Sequence, residues 1–452
     1  MTLKLGVSVT AIIRTVDLRG ESLSSARVNQ LVPRAAVDIS MAVEQIKPLL
    51  EDVKARGEAA VVEVTVARDG VDPRPIRVDA AELATALEAL DPKLKAAIQT
   101  SIDRVRAVSM ATKPAPVSVT LAPGAVVHQR WVPVDSVGLY VPGGKAVYPS
   151  SVIMNVVPAQ VAGVPRLAVA TPAQKEFGGR PHPTVLATAA MLGIEDVFCM
   201  GGPAAIAAFA YGLPEAQLLP VNLVTGPGNI FVAAAKRALR GTIGIDSEAG
   251  TTEILIIADE TADATLIAYD LVSQAEHDEA AASVLVTDSE RLAAEVESAL
   301  AQVATQTRHV ERVRVALAGQ QSAIVLVDNL AAAIEFANHY ATEHLEIQTA
   351  DDQSALERIT NAGAVFLGKH SPVSLGDYMA GSNHVLPTGQ QAKFGSGLGV
   401  HSFLRAQQVI DYDRDALAAI ATQVRDFAES ENLPAHGQAI TARFEQPLEE
   451  NL

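Results

Sequence analysis

The chain has 452 residues, of which 49% are apolar and 19% charged, enough apolar matter for more than one buried core; intrinsic disorder is excluded. Aromatics make up only 4%, which suits helices packed on sheets better than an aromatic-rich β-sandwich. The formal charge of −17 repels phosphate backbones and no basic stripe overrides it, so no nucleic-acid partner is expected.

The N-terminal stretch Met1–Arg14 shows no long apolar run followed by a small-residue cleavage pattern. No segment anywhere reaches the roughly 18–20 apolar residues of a spanning helix. A soluble, unexported, cytoplasmic protein without a membrane partner is the expectation. Up to about residue 135 the pattern is mainly helical, for example over Ile39–Ala55 and Ala80–Leu90.

From Val137 short β-like runs alternate with helical ones. Val137–Val141 reads as a strand, followed by a Pro142-Gly143-Gly144 turn and a helix over Ser150–Ala162. Arg166–Ala170 is a strand and Pro183–Leu192 a helix. Val197–Met200 is a strand that ends at Gly201-Gly202, with Pro203 in the first turn of the next helix. It carries Cys199, the single cysteine, which excludes an intrachain disulfide or a CxxC motif and fits a reducing compartment. Leu223–Thr225 is a strand ending in Gly226-Pro227-Gly228-Asn229, before a helix over Ile230–Leu239.

Glu253–Ala258 and Ser283–Thr287 start a second series, separated by a helix that ends near His277 and is capped by Thr261 or Asp263. Ala323–Val327, Leu345–Gln348 and Val365–Leu367 continue as strands, with helices near Arg291–Val303, Leu330–His339 and Gln353–Ile359. Strand, glycine turn and helix, repeated, mean βαβ units on parallel sheets. Runs apolar on both faces mean sheets covered on both sides. From Gly399 the pattern is helical, with no further strand. The fold class is therefore α/β: two Rossmann-like βαβ domains with parallel sheets, plus small helical N- and C-terminal segments.

A GxGxxG fingerprint is absent: Gly395, Gly397 and Gly399 follow no strand and read as a loop. The Gly226–Asn229 turn is better placed, since N–H groups at a helix start attract pyrophosphate, although such turns also occur without ligands. Gln274 and His277 stand at i and i+3, which on a helix share a face. Taken alone they fit a surface Gln and a partly buried His better than a pair sharing one target. Further along, Glu343-His344 precede a strand, Asp377 and His384 lie in a glycine-rich stretch, and His436 follows Glu431 near the C-terminus. A set of Gln274, His277, Asp377 and His436 would be rich in oxygen and imidazole, suiting zinc or a similar divalent ion, though spacing alone does not select it. His128, His182, His309 and His370 read as solvated; His339, His384 and His401 have no assigned role.

Five stretches in order, Val137–Ser151, Thr225–Val232, Ser273–His277, Glu343–Leu345 and Gly376–Pro387, resemble histidinol dehydrogenases over nearly the whole chain. The resemblance implies one zinc ion per subunit held by Gln274, His277, Asp377 and His436, with Glu343 and His344 as acid–base catalysts. Substrate contacts would be Thr252, Gln274, His277, His344, Asp377, Glu431 and His436, and Tyr140 and Asn229 would contact NAD. It further implies a homodimer with shared active sites. The implied organisation is an N-terminal extension (1–35), a first α/β domain (36–139 with 252–398), a second, cofactor-side α/β domain (140–251), and a C-terminal helical segment (399–452) on the partner chain. Two departures stand out. Ala204 replaces a glutamine that commonly touches the cofactor, and Thr251-Thr252 replace a Pro-Ser pair before Glu253; Thr252 keeps the hydroxyl.

The implied activity is the NAD-dependent, four-electron oxidation of L-histidinol through histidinal to L-histidine, the last steps of histidine biosynthesis. His344 would take the hydroxyl proton and Glu343 would activate water for the second oxidation. The alternatives are a paralogous NAD-dependent alcohol dehydrogenase for another amino or polar alcohol, a zinc hydrolase, and a non-catalytic metabolite sensor.

Overall fold

The computed structural model describes residues 12–34, 39–143, 146–248 and 250–445. Met1–Ala11, Gly144 and Lys145, on which parts of the sequence reading fall, lie outside the described residues. The chain divides into two compact units, Met1–Thr112 with Val134–Phe403, and Lys113–Pro133 with Leu404–Leu452.

In chain order the strands are β1 (Arg14–Asp17), β2 (Val117–Ala122), β3 (Ala125–Pro133), β4 (Ser136–Tyr140) and β5 (Arg166–Thr171). β6 (Val197–Cys199), β7 (Leu223–Thr225), β8 (Gly244–Ile245), β9 (Glu253–Ala258) and β10 (Ala282–Thr287) follow. The last are β11 (Ala323–Leu326), β12 (His344–Gln348), β13 (Ala364–Leu367) and β14 (Leu404–Tyr412).

Among the described residues the first unit holds two wholly parallel sheets, a five-stranded one in the order β6-β5-β4-β7-β8 and a six-stranded one in the order β1-β11-β10-β9-β12-β13. In each, two strands wind outward from a central one (β5 and β6 from β4, β10 and β11 from β9), and the chain then returns to the other side. Each sheet so has one point where the winding reverses, between β4 and β7 or between β9 and β12. These are the paired βαβ arrays expected from the sequence.

The period-2 geometry of a strand explains how the six-stranded sheet is covered on both faces. Ile254, Ile256, Leu285 and Ile324 pack on one side under the helices Ala264–Ala275 and Glu290–Val303. Their alternates Leu255, Ile257, Val284 and Val286 face the helix Leu330–Tyr340 on the other. Each such side chain contributes about 1.5–3 kcal/mol by leaving water. Of the two candidate caps for the helix Ala264–Ala275, Asp263 does the capping, accepting from the Thr265 and Leu266 N–H groups. Under the five-stranded sheet, Ala168, Ala170 and Phe198 pack with Ala42, Ile46, Leu50 and Ile76. That segment, grouped with 252–398 in the sequence reading, therefore belongs to the five-stranded sheet's core. Arg14–Asp17, in the expected N-terminal extension, forms the edge strand beside β11.

The second unit contains the antiparallel sheet β14-β3-β2 and the helices Arg414–Ser430 and Pro434–Thr441. It corrects the reading at two places. Besides β1, the first 135 residues contain two further strands, β2 and β3, and the segment after Gly399 contains a nine-residue strand, β14. The reason is physical: β2 is exposed along its whole length and β14 along nearly all of it, so neither needs the buried apolar face that produces a recognisable pattern. No described helix is long and apolar enough to cross a membrane.

Candidate active site and cofactor crevice

Glu343 and His344, the expected acid–base residues, stand at the amino end of β12, beside the amino end of the adjacent strand β9. Thr252 precedes β9, and Glu343 precedes β12, whose first residue is His344. Gln274 Nε2 donates to Thr252 Oγ1 at 2.6 Å, and Thr252 Oγ1 donates to Glu343 Oε2 at 2.6 Å. The Glu253 N–H donates to the same oxygen at 2.9 Å. A relay of donors thus ends on a buried carboxyl group, and burial pushes that group well above the usual carboxylate range despite its donors. His344 Nδ1 lies 3.1 Å from the Glu253 carbonyl oxygen. That oxygen can only accept, so Nδ1 carries the proton and the Nε2 lone pair remains available. Burial also lowers the imidazole pKa, favouring the neutral base.

Glu253 is itself anchored. Arg34 Nε meets its Oε2 at 2.6 Å, and the Gly389 N–H donates to its Oε1 at 3.0 Å. Arg34 also donates to the Tyr340 carbonyl at 2.6 Å and lies 4.0 Å over the Tyr340 ring. The sequence reading missed Arg34, which lies far upstream of Glu253 in a segment with no motif. Only folding places it at the base of β9.

Gln274 occupies the last turn of the helix Ala264–Ala275, while His277 lies just past its end. The expected i, i+3 pair on a helix face is therefore a helix-end turn, closed by the His277 N–H bonding to the Gln274 carbonyl at 3.2 Å. His277 Nε2 is 4.0 Å from Asp377 Oδ2, on the helix Val373–Tyr378. Enclosure, together with His344, holds the His277 imidazole below its usual value, although 39% of that side chain remains open. The Gln274 amide nitrogen is spent on Thr252, whereas its Oε1 is buried without a hydrogen-bond partner. A bare buried acceptor costs about 1–3 kcal/mol unless something else satisfies it. An amide oxygen, an imidazole and a carboxylate converging in this way fit a divalent ion of zinc's borderline character. They line a cavity of about 560 Å³ together with Ser101, Tyr148 and Tyr378.

His384, to which the sequence reading gave no role, lies beside this set. Its Nδ1 is 3.1 Å from the Asp377 carbonyl and its Nε2 is 3.1 Å from Ser151 Oγ. Its signal was the motif around it rather than its spacing. Of the four histidines read as solvated, His309 and His370 are exposed, but His128 and His182 are half-buried. His128 bonds Ser118 at 2.8 Å, and His182 caps a helix through the Thr184 N–H at 3.2 Å.

The carboxyl ends of β4 and β7 form a second feature, the point of reversed winding at which open α/β sheets bind ligands. Tyr140 ends β4; its hydroxyl accepts from the Gly202 N–H at 3.0 Å, and burial pushes the phenol up to about 12. Past β7, Gly226 has φ +118°, and a Cβ there would lie 2.0 Å from the Tyr140 carbonyl oxygen, so only glycine fits. Asn229 closes the turn. Its Oδ1 caps the helix Ile230–Leu239 by accepting from the Phe231 and Val232 N–H groups at 3.0 and 3.3 Å, and the residue is exposed. Ala204 is buried in the core under the sheet and brings only a methyl group. Close backbone approach at a helix start fits a dinucleotide here.

Glu431 and His436 belong to the second unit. Glu431 is the C-cap of the helix Arg414–Ser430, His436 lies in the helix Pro434–Thr441, and both are exposed.

A family model described as histidinol dehydrogenase matches residues 32–444. A histidinol dehydrogenase of Leifsonia xyli subsp. xyli is 56% identical over 434 residues, covering 96% of this chain and all of that one. One of Thermobifida fusca is 56% identical over 440 residues, covering 97% and 99%. Among solved structures, a histidinol dehydrogenase from Elizabethkingia anophelis superposes with a TM-score of 0.89 at 30% identity, covering 97% of this chain and 99% of that one.

Proposed function

The chain belongs to the histidinol dehydrogenase family, and from that premise we propose that it oxidises L-histidinol through histidinal to L-histidine with NAD and one zinc ion per subunit. The observation that carries this reading is the Gln274–Thr252–Glu343 relay beside a tautomer-fixed His344, with the bare Oε1 of Gln274 next to it.

Gln274, His277 and Asp377, with His436, would hold the zinc, which when bound supplies a redox-inert anchor for the substrate's imidazole and amine nitrogens. Tyr140 and Asn229 would contact NAD, which when bound would supply the hydride acceptor for each of the two oxidations. The chain's own side chains handle the protons. His344 Nε2, bare and neutral, takes the hydroxyl proton of the alcohol in the first oxidation. Glu343, made more basic by burial, takes a proton from the water that hydrates the aldehyde. Thr252 holds one Glu343 oxygen in place throughout and leaves the other to the reacting water.

The working form we propose is a cytoplasmic homodimer in which Glu431 and His436 complete the partner's site. Phe427 at 72% and Ile410 at 73% exposure, both in the second unit, support a covered surface there.

Two NADH per histidinol consumed, with almost no free aldehyde, is the expected stoichiometry. One NADH per histidinol with accumulating aldehyde would reject the two-step reaction.

A further inference from the structure

Behind the cofactor crevice lies a buried ion pair that the chemistry above does not use. Lys236 Nζ meets Asp246 Oδ1 at 2.6 Å, with side chains only 2% and 5% exposed. Both partners grip one residue. Lys236 Nζ donates to the Gly226 carbonyl at 2.5 Å, and Asp246 Oδ2 accepts from the Gly226 N–H at 2.8 Å. Asp246 Oδ1 also accepts from the Ser247 N–H at 2.7 Å. Lys236 belongs to the helix that Asn229 caps, and Asp246 follows β8, so the turn is clamped from both flanks.

Stability alone does not explain such a pair. Removing two charges from water is costly, and well-packed apolar residues of the same volume commonly serve a core as well or better. What the pair does provide is over-determination of a strained backbone. Gly226, at φ +118°, is held through both its N–H and its carbonyl while it lies against Tyr140. The pair also cancels the Asp246 charge close to a helix start, where a phosphate would otherwise meet a carboxylate.

We propose that Lys236 and Asp246 are positioning residues for the cofactor, fixing the Gly226–Asn229 turn in the shape that receives a dinucleotide without touching it. The proposal rests on the NAD reading above. The test compares wild type, Lys236→Met and Asp246→Asn as zinc-loaded full-length proteins. It measures the NAD dissociation constant by calorimetry, the KM for histidinol, and the zinc content.

A rise of about tenfold or more in the NAD dissociation constant is expected, with histidinol KM and zinc content within about twofold of wild type. Asp246→Asn keeps the volume and one acceptor oxygen, so it carries the test if Lys236→Met does not fold. Unchanged NAD binding in the folded variants overturns the proposal. So does a parallel loss of NAD binding, histidinol binding and zinc, or the unfolding of both variants, since each marks a purely structural pair. A wild-type protein that binds no NAD would instead overturn the cofactor reading itself.

Discussion

The five- and six-stranded sheets wind in the same order but present their candidate sites at opposite edges. On the five-stranded sheet, Tyr140 ends β4, and Gly226 and Asn229 lie past the carboxyl end of β7, where the chain turns into a helix start. On the six-stranded sheet, Thr252, Glu343 and His344 stand at the amino ends of β9 and β12. A carboxyl edge leads into helix N-termini and offers N–H groups, which suit phosphates. The amino edge here offers carbonyl groups, and the Glu253 carbonyl is what fixes the proton on His344 Nδ1. One winding can therefore serve two chemistries, because the edge that is used decides which backbone group faces the ligand.

This division can be broken most decisively at His344. His344→Ala should lower kcat by about 10²–10⁴ while leaving NAD affinity unchanged, as measured by steady-state kinetics and calorimetry. Loss of NAD binding in that variant would show that the two edges are not separate. A smaller effect is expected at the other edge. Asn229→Ala removes a helix cap worth about 0.5–2 kcal/mol, so the KM for NAD should rise about tenfold while the KM for histidinol holds. A matching rise for histidinol would contradict the assignment of that edge to the cofactor.

The smallest effect asks whether the amino-edge site is complete within one chain. Mixed dimers of His344→Ala and His436→Ala chains, each inactive alone, should recover about a quarter of wild-type activity, because half the dimers are mixed and one of their two sites is intact. Verified mixed dimers without activity would place His436 in the same site as its own His344.

Legibility followed burial. EILIIA of β9 and ASVLVT of β10 are buried throughout and read plainly as strands. The exposed β2 and β14 pair through backbone hydrogen bonds that ask little of their side chains, and they escaped notice. Glu343, His344, Gln274, His277 and Asp377 were found through motifs whose order resembles a family, not through periodicity.

The sequence by itself determined the two βαβ series and the glycine turn at 226–229, and it named the candidate side chains of the proposed site, because burial pattern, turn chemistry and motif are local properties of the chain. Tertiary structure alone decided that Arg34 anchors Glu253, that Gln274 reaches Glu343 through Thr252, and that Lys236 and Asp246 clamp Gly226. Each of these depends on a hydrogen bond between groups that only the folded packing brings within 3 Å of one another, and no local pattern records such a meeting.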